Sequence, residues 1–170
     1  MKYKRWKIRF SSELALQNRC TVTICAAATL AIGIIIGISG GLYPHPHYCL
    51  PKSALPTFFI ILTWGAVFLL IGAVFGIFFF SRRCRSDERK LSFALWLTTL
   101  VSAYAWIPLF YRVYSLFPAF LFALILLAAS LALAVSLSRS EPLAALGCAV
   151  VAIWAFYISY YSFATLLLNG

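Results

Sequence analysis

Residues 56–80 read PTFFIILTWGAVFLLIGAVFGIFFF, a run without a single charged side chain. About 20 consecutive apolar residues are enough for a helix to cross the hydrocarbon core of a bilayer. Working outward, four more charge-free stretches of spanning length flank it, at residues 20–42, 91–111, 116–137 and 142–168. Within lipid a segment must satisfy its own backbone N–H and C=O groups, which leaves α-helices and closed barrels. The runs are continuous rather than alternating, which excludes a barrel. The sequence therefore predicts an all-α integral membrane protein, a bundle of five transmembrane helices over residues 20–170 behind a basic segment at 1–19.

Composition leads to the same class. The 170 residues are 64% hydrophobic and 11% charged, against about 45–50% and about 25% in soluble domains. So few charges cannot cover a water-facing surface without large apolar patches. The net charge of +10 would suggest nucleic acid in a soluble protein, but no nucleic-acid-binding motif accompanies it. Its distribution fits a membrane protein instead. Twelve basic residues fall on one predicted side: Lys2, Lys4, Arg5, Lys7, Arg9, Arg19, Arg82, Arg83, Arg85, Arg89, Lys90 and Arg139. Only Lys52 and Arg112 fall on the other. By the positive-inside rule the N-terminus lies in the cytoplasm, with the C-terminus and loop 43–55 outside. A bacterial cell membrane or an organellar membrane would suit this arrangement. The first span is too long, and its charged leader too extended, for a cleavable signal peptide.

Local signals set the limits of the spans. Ser53 and Pro56 precede the second, and Ser140-Glu141-Pro142 reads as a cap, an acidic first turn and a helix-start proline. The segment Tyr43-Pro44-His45-Pro46-His47-Tyr48-Cys49-Leu50-Pro51 cannot be regular helix. Gly33, Gly37 and Gly41 recur every fourth residue, a flat ridge that suits packing within the chain or a homodimer.

Catalytic constellations are absent from the sequence. The only histidines, His45 and His47, share the outer loop without a carboxylate beside them, so no metal site is expected. Glu13, Asp87, Glu88 and Glu141 all flank the spans, whereas ion-coupled carriers usually hold an ionisable residue inside the membrane. The five cysteines form no CxxC pair and read as small apolar residues. What remains is aromatic: 15 Phe, 9 Tyr and 5 Trp. Trp64 lies about 12 Å into the second span from its outer end, and Trp106 and Tyr157 about 22 Å above the inner ends of theirs. These residues converge in the outer half of the bundle, with Trp154, Tyr157, Tyr160/Tyr161 and Ala164 on one helical face. Two readings of them stay open. One is an aromatic belt with ordinary packing; the other is a pocket for a flat hydrophobic ligand under the proline-rich loop.

Three stretches in order resemble the TspO/MBR family of tryptophan-rich sensory and translocator proteins. They are Pro51-Lys52-Ser53-Ala54-Leu55-Pro56-Thr57-Phe58 running through Trp64, Phe68 and Gly72-Ala73, then Trp106-Ile107-Pro108-Leu109-Phe110-Tyr111, then Tyr157-x-x-Tyr160-x-x-Phe163-Ala164-Thr165. The resemblance implies a five-helix bundle, often dimeric, with an outer-half cavity for porphyrin, haem or sterol-like molecules and no required cofactor. By position, Trp64 matches the family tryptophan implicated in tetrapyrrole chemistry. Trp106, Tyr157, Tyr160, Phe163 and Ala164 match cavity-lining positions, with Phe58, Phe68 and Leu167 as further ligand contacts. Pro51 and Pro56 match positions that shape the loop. The chain departs from the family pattern at Phe58 and Tyr160, where tryptophans are usual, and at Leu55, Leu62, Thr99, Ala103 and Leu168.

The expected function is a membrane-embedded binding protein or sensor for such a ligand. Alternatives are a transporter of tetrapyrroles or other small solutes, a porphyrin-degrading protein using Trp64, and a structural subunit whose aromatics only pack. The orientation has a direct check: a membrane-impermeant maleimide added from outside reacts with Cys49 and leaves Cys84 untouched. The reverse labelling pattern overturns it.

Overall fold

In the computed structural model, residues 19–40, 48–81, 84 and 86–169 are described. The basic residues before Arg19, together with Arg82, Arg83, Arg85, Gly41 and the histidine loop, lie outside the described residues. Five helices follow one another: α1 (Arg19–Gly40), α2 (Thr57–Phe79), α3 (Ser86–Tyr111), α4 (Leu116–Leu137) and α5 (Pro142–Asn169). All five are long and apolar enough to cross a membrane, and no strand occurs among the described residues. At 22–28 residues each, they span roughly 33–42 Å at the helical rise. α3 begins earlier than its apolar run, because Asp87 and Glu88 favour the positive end of a helix dipole and add a first turn outside the lipid. The predicted cap at α5 is not made by Ser140. Its hydroxyl bonds no backbone N–H, and the carbonyl of buried Glu141 accepts from the Ala145 N–H at 3.0 Å instead.

Around the bundle the order is α1, α2, α5, α4, α3, with α1 closing the circle on α3 and α2 also touching α3. The tightest approach is between α1 and α2. A Cβ on Gly72 would strike the Cys25 carbonyl, the Thr29 hydroxyl and Ala26 Cα, the last at 2.7 Å; one on Gly76 would sit 2.8 Å from Val22 Cα. Close backbone contact through small residues is the main packing resource of helices in lipid. Thr29 Oγ1 then donates to the Phe68 carbonyl at 2.8 Å, and Tyr104 OH donates to the Thr29 carbonyl at 2.7 Å, joining α1, α2 and α3. Gly33 is also used within the chain, since its Cβ would collide with the Phe68 ring.

Contacts at the helix ends define two poles. At one pole Tyr48 OH donates to the Tyr114 carbonyl at 2.8 Å, and Arg112 Nη1 donates to the Ser39 carbonyl at 2.9 Å. Tyr114 adopts φ 55°, which lets the Ser115 N–H reach back to the Leu109 carbonyl at 3.0 Å. At the other pole Ser81 Oγ bonds Glu141 Oε1, and Arg89 Nη2 donates to the carbonyls of Ser81 at 2.7 Å and Cys84 at 3.2 Å. Cys84 is 4% exposed. Burial, with the Glu88 carboxylate nearby, pushes its thiol up from its ordinary value. Cys84 is thus protected on either side of a membrane, and exposed Cys20 is the better reporter to set against Cys49.

The α1–α2 crossing predicts a sharp contrast between two glycines. Gly72→Ala overpacks a backbone contact and costs about 1–3 kcal/mol, seen as a lower midpoint of thermal unfolding in detergent. Gly65→Ala, whose Cβ would meet only Leu30 Cδ1 at 3.9 Å, leaves the midpoint unchanged. Equal effects would remove the crossing from its role.

Candidate functional site

Residues one turn apart share a helix face, so Trp64 and Phe68 on α2, Trp106 and Phe110 on α3, and Trp154, Tyr157 and Tyr161 on α5 point inward in columns. Their rings close into a circuit. Trp64 stacks on Trp106 at 5.4 Å, Trp106 on Phe110 at 4.9 Å, and Phe110 meets Tyr161 at 5.1 Å. Tyr161 stacks on Tyr157 at 6.2 Å, Tyr157 on Trp154 at 5.2 Å, and Trp154 returns edge-on to Trp64 at 6.0 Å. Phe68 also stacks on Trp64, at 5.4 Å. Each such pair contributes about 0.5–1.5 kcal/mol beyond area burial, so the circuit fixes α2, α3 and α5 against one another.

The indole N–H groups fall into two classes. Trp106 Nε1 donates to Ser162 Oγ and Trp96 Nε1 to the Ile71 carbonyl, both at 2.9 Å. Trp64 Nε1 and Trp154 Nε1 are buried with no hydrogen-bond partner among the described residues. An unpaired buried donor costs about 1–3 kcal/mol, and both belong to rings of the circuit.

A strap formed by residues 48–55 lies across the same pole. Asn169 holds it at one point: the Cys49 N–H donates to Asn169 Oδ1 at 2.9 Å, and Asn169 Nδ2 donates to the Cys49 carbonyl at 3.0 Å. Tyr157 OH accepts from the Leu55 N–H at 3.0 Å and donates to the Ser53 carbonyl at 3.4 Å. Ser53 Oγ donates to Tyr160 OH at 3.1 Å. Burial, with Tyr114 beside it, raises the Tyr48 pKa and keeps that phenol a donor. Tyr157 therefore links the strap to the circuit beneath it.

The structure separates the residues singled out from sequence. Trp64, Phe68 and Trp106 are buried together, and Tyr157 joins them. Ala164 is half-buried. Phe58, Tyr160, Phe163 and Leu167 face outward, with Tyr160 tied to the strap and Phe163 against Phe120 of α4 at 5.3 Å. Pro51 is buried within the strap, and Pro56 is exposed at the head of α2. Phe110, Ser162 and the strap-holding role of Asn169 escaped the sequence reading. Ser162 had one available signal, because a buried tryptophan calls for an acceptor one helix away.

Free space lies between α1 and α2, with Trp64 among its lining. A cleft of about 240 Å³ runs between α1 and α2, bounded by Gly33, Gly37, Ile38, Ile61, Trp64 and Phe68 among others. Deeper in the bundle a void of about 10 Å³ beside Thr99, Ser130 and Cys148 is near the size of a single water. No group of three potential metal ligands occurs among the described residues.

Five spanning helices with an aromatic interior and a strap over one pole define a small polytopic membrane protein built around an apolar site. The TspO/MBR family model matches residues 21–168, and the chain belongs to that family, whose members bind or transport hydrophobic ligands in the membrane. No curated protein matches the chain.

The strap geometry predicts site-specific protection of backbone amides. Asn169→Ala speeds hydrogen exchange at the Cys49 amide, and Tyr157→Phe does so at Leu55. Each change is about tenfold, in keeping with a loss of about 0.5–1.5 kcal/mol per hydrogen bond. Unchanged exchange at both amides would show that these bonds do not hold the strap.

Proposed function

We propose that the protein is a membrane-embedded binding protein or sensor for a flat hydrophobic ligand, of the porphyrin, haem or sterol-like class, held against the aromatic circuit beneath the strap. The observation that carries this reading is the pairing of stacked rings with two buried indole N–H groups that find no partner among the described residues. Packing alone accounts for the rings but leaves these two donors uncompensated. A flat ligand with hydrogen-bond acceptors supplies both a stacking surface and the missing bonds.

Neither Thr99 nor Ala103 offers a free polar group to such a ligand. Thr99 Oγ1 is spent on the Leu95 carbonyl at 2.9 Å, and Ala103 is fully buried. Recognition of a carboxylate therefore falls to the strap side, where Lys52 is exposed. We place the N-terminus in the cytoplasm on the twelve-to-two distribution of basic residues, which puts the strap on the outer face.

Protoporphyrin IX titrated into the detergent-solubilised protein, read by tryptophan quenching, tests the reading. Wild type binds saturably. Trp64→Ala weakens binding about threefold to tenfold, the value of one stacked pair, and Ala164→Phe weakens it by filling space on the α5 face. Binding also weakens with added salt, because a charge contact near water is screened. Equal binding by all three proteins, or none by any, favours aromatics that only pack.

A further inference from the structure

At the pole that holds Ser81 and Glu141, two features stand outside the aromatic circuit and the strap. The first is a second cluster of rings, on the seam between α2 and α3. Phe75 stacks on Phe79 at 4.8 Å and meets Trp96 of α3 at 4.3 Å. Phe79 in turn meets Phe80 at 5.3 Å and Phe93 of α3 at 5.9 Å. Trp96 is the buried floor of the cluster, with its Nε1 donating to the Ile71 carbonyl. Phe79, Phe80 and Phe93 are 37%, 57% and 38% exposed, on a surface that faces lipid in a membrane.

The second feature is charge. This pole carries all four acidic residues of the chain and twelve of its fourteen basic ones. Arg89 is spent on the carbonyls of Ser81 and Cys84. Lys90 is exposed and shares a helix face with Phe93, about one turn deeper. Exposed Arg19 comes to the same level from α1. Val22 and Gly76 are in contact where α1 crosses α2, and Arg19 and Phe80 each lie about one turn beyond that contact toward the pole. The sequence adds Arg82, Arg83 and Arg85 to the connection between the two ring-bearing helices.

We infer that the α2–α3 seam at this pole is a binding site for an anionic phospholipid of the adjoining leaflet. Its phosphate is met by Arg19 and Lys90, and an acyl chain lies along Phe79, Phe80 and Phe93. The inference does not depend on the hydrophobic-ligand reading above. Basic residues that served only to orient the chain would need no seat beneath them. Here the rings form one, and because they already hold one another, a chain lying on them orders little besides itself. Other occupants fit less well. A soluble polyanion meets the cations and leaves the rings uncovered. A choline lipid covers the rings and brings its own positive group to a positive rim.

Phosphatidylglycerol and phosphatidylcholine with identical brominated chains form a matched pair of probes, since bromine quenches tryptophan only at short range. Each is titrated into phosphatidylcholine nanodiscs that hold the full chain with Trp6→Phe, which removes the one tryptophan outside the spans. The readout is the relative affinity of the two probes, so contacts of the chains cancel. It favours phosphatidylglycerol by at least about tenfold. Lys90→Gln and Arg19→Gln each lower that preference by about threefold to fivefold, the value of one cation close to an anionic headgroup. Arg139→Gln removes an exposed cation of the same pole from the α4–α5 turn and leaves the preference unchanged. Trp96→Phe removes the reporter beneath the seam, and the excess quenching by phosphatidylglycerol goes with it. Inorganic phosphate, set against chloride at equal ionic strength, displaces nothing.

Equal affinity for the two probes overturns the inference. So does a loss in Arg139→Gln as large as that in Lys90→Gln, which would mean a diffuse field rather than a site. Full excess quenching in Trp96→Phe places the lipid elsewhere on the bundle, and displacement by inorganic phosphate makes the cations a site for a soluble anion; either result ends the proposal. Quenching by the phosphatidylcholine probe at the remaining tryptophans reports whether each variant is folded, and the comparison of Lys90→Gln with Arg139→Gln stands without Trp96→Phe.

Discussion

The change from glycine to aromatic along one ridge of α2 sets the geometry of the rest of the bundle. Gly72 and Gly76 bring α1 within backbone contact, which in lipid replaces the hydrophobic drive available to soluble helices. One and two turns on, Phe68 and Trp64 stand where small residues stood and cannot be covered by α1 alone. Trp64 is thus pressed inward onto Trp106 and Trp154. That contact recruits α3 and α5, and the circuit of rings follows. The same ring forms one wall of the α1–α2 cleft. A single side chain is therefore shared between the packing of the core and the free space at its edge.

Polar groups of the spanning helices are treated in a way that lipid requires. Thr23, Thr98, Thr99, Ser159 and Thr165 each return their hydroxyl to the carbonyl four residues earlier, a local bond that needs no neighbour. Few polar groups bond between helices, and those that do mark joints, among them Thr29 with Phe68, Tyr104 with Thr29, Ser92 with Ser136, Trp96 with Ile71 and Trp106 with Ser162. Against this background the two unpartnered indoles are conspicuous. Trp96 shows that even a carbonyl of a neighbouring helix can serve as acceptor. Among the described residues, Trp64 and Trp154 have no such acceptor.

The five spans were legible in the sequence because each is a long charge-free run, and the helices keep their expected limits to within two residues except at α3, which begins five residues earlier. The convergence of Trp64, Trp106 and Tyr157 followed from depth alone, since a helix rises by a fixed amount per residue. Azimuth was harder to read. Tyr160 and Tyr161 sit on adjacent positions of an apolar helix with a nearly uniform surface, and periodicity cannot choose between them. Tyr161 entered the circuit and Tyr160 turned out to the strap. Phe110 was hidden for the same reason, as one ring among many in an aromatic-rich helix. Ser140 was misread as a cap because the pattern Ser-Glu-Pro does not reveal that Glu141 is drawn into a buried bond with Ser81.

Where the chain departs from the pattern of its family, the polarity of the site changes more than its shape. Phe58 faces outward and takes no part in the circuit, so its substitution leaves the inner rings undisturbed. Thr99 spends its hydroxyl on its own helix, and Ala103 has none to offer. With those groups silent, the proposed site has ring stacking and two indole donors with which to discriminate, and Lys52 of the strap to meet charge. Stacking tolerates many flat molecules, because it depends on area and planarity rather than on a fixed pattern of donors and acceptors. Two unpaired N–H groups impose the opposite demand, since a ligand without an acceptor leaves their desolvation cost unrelieved. On the reading proposed above, selectivity resides in the placement of an acceptor on the ligand, and the rings supply affinity to any plane that brings one.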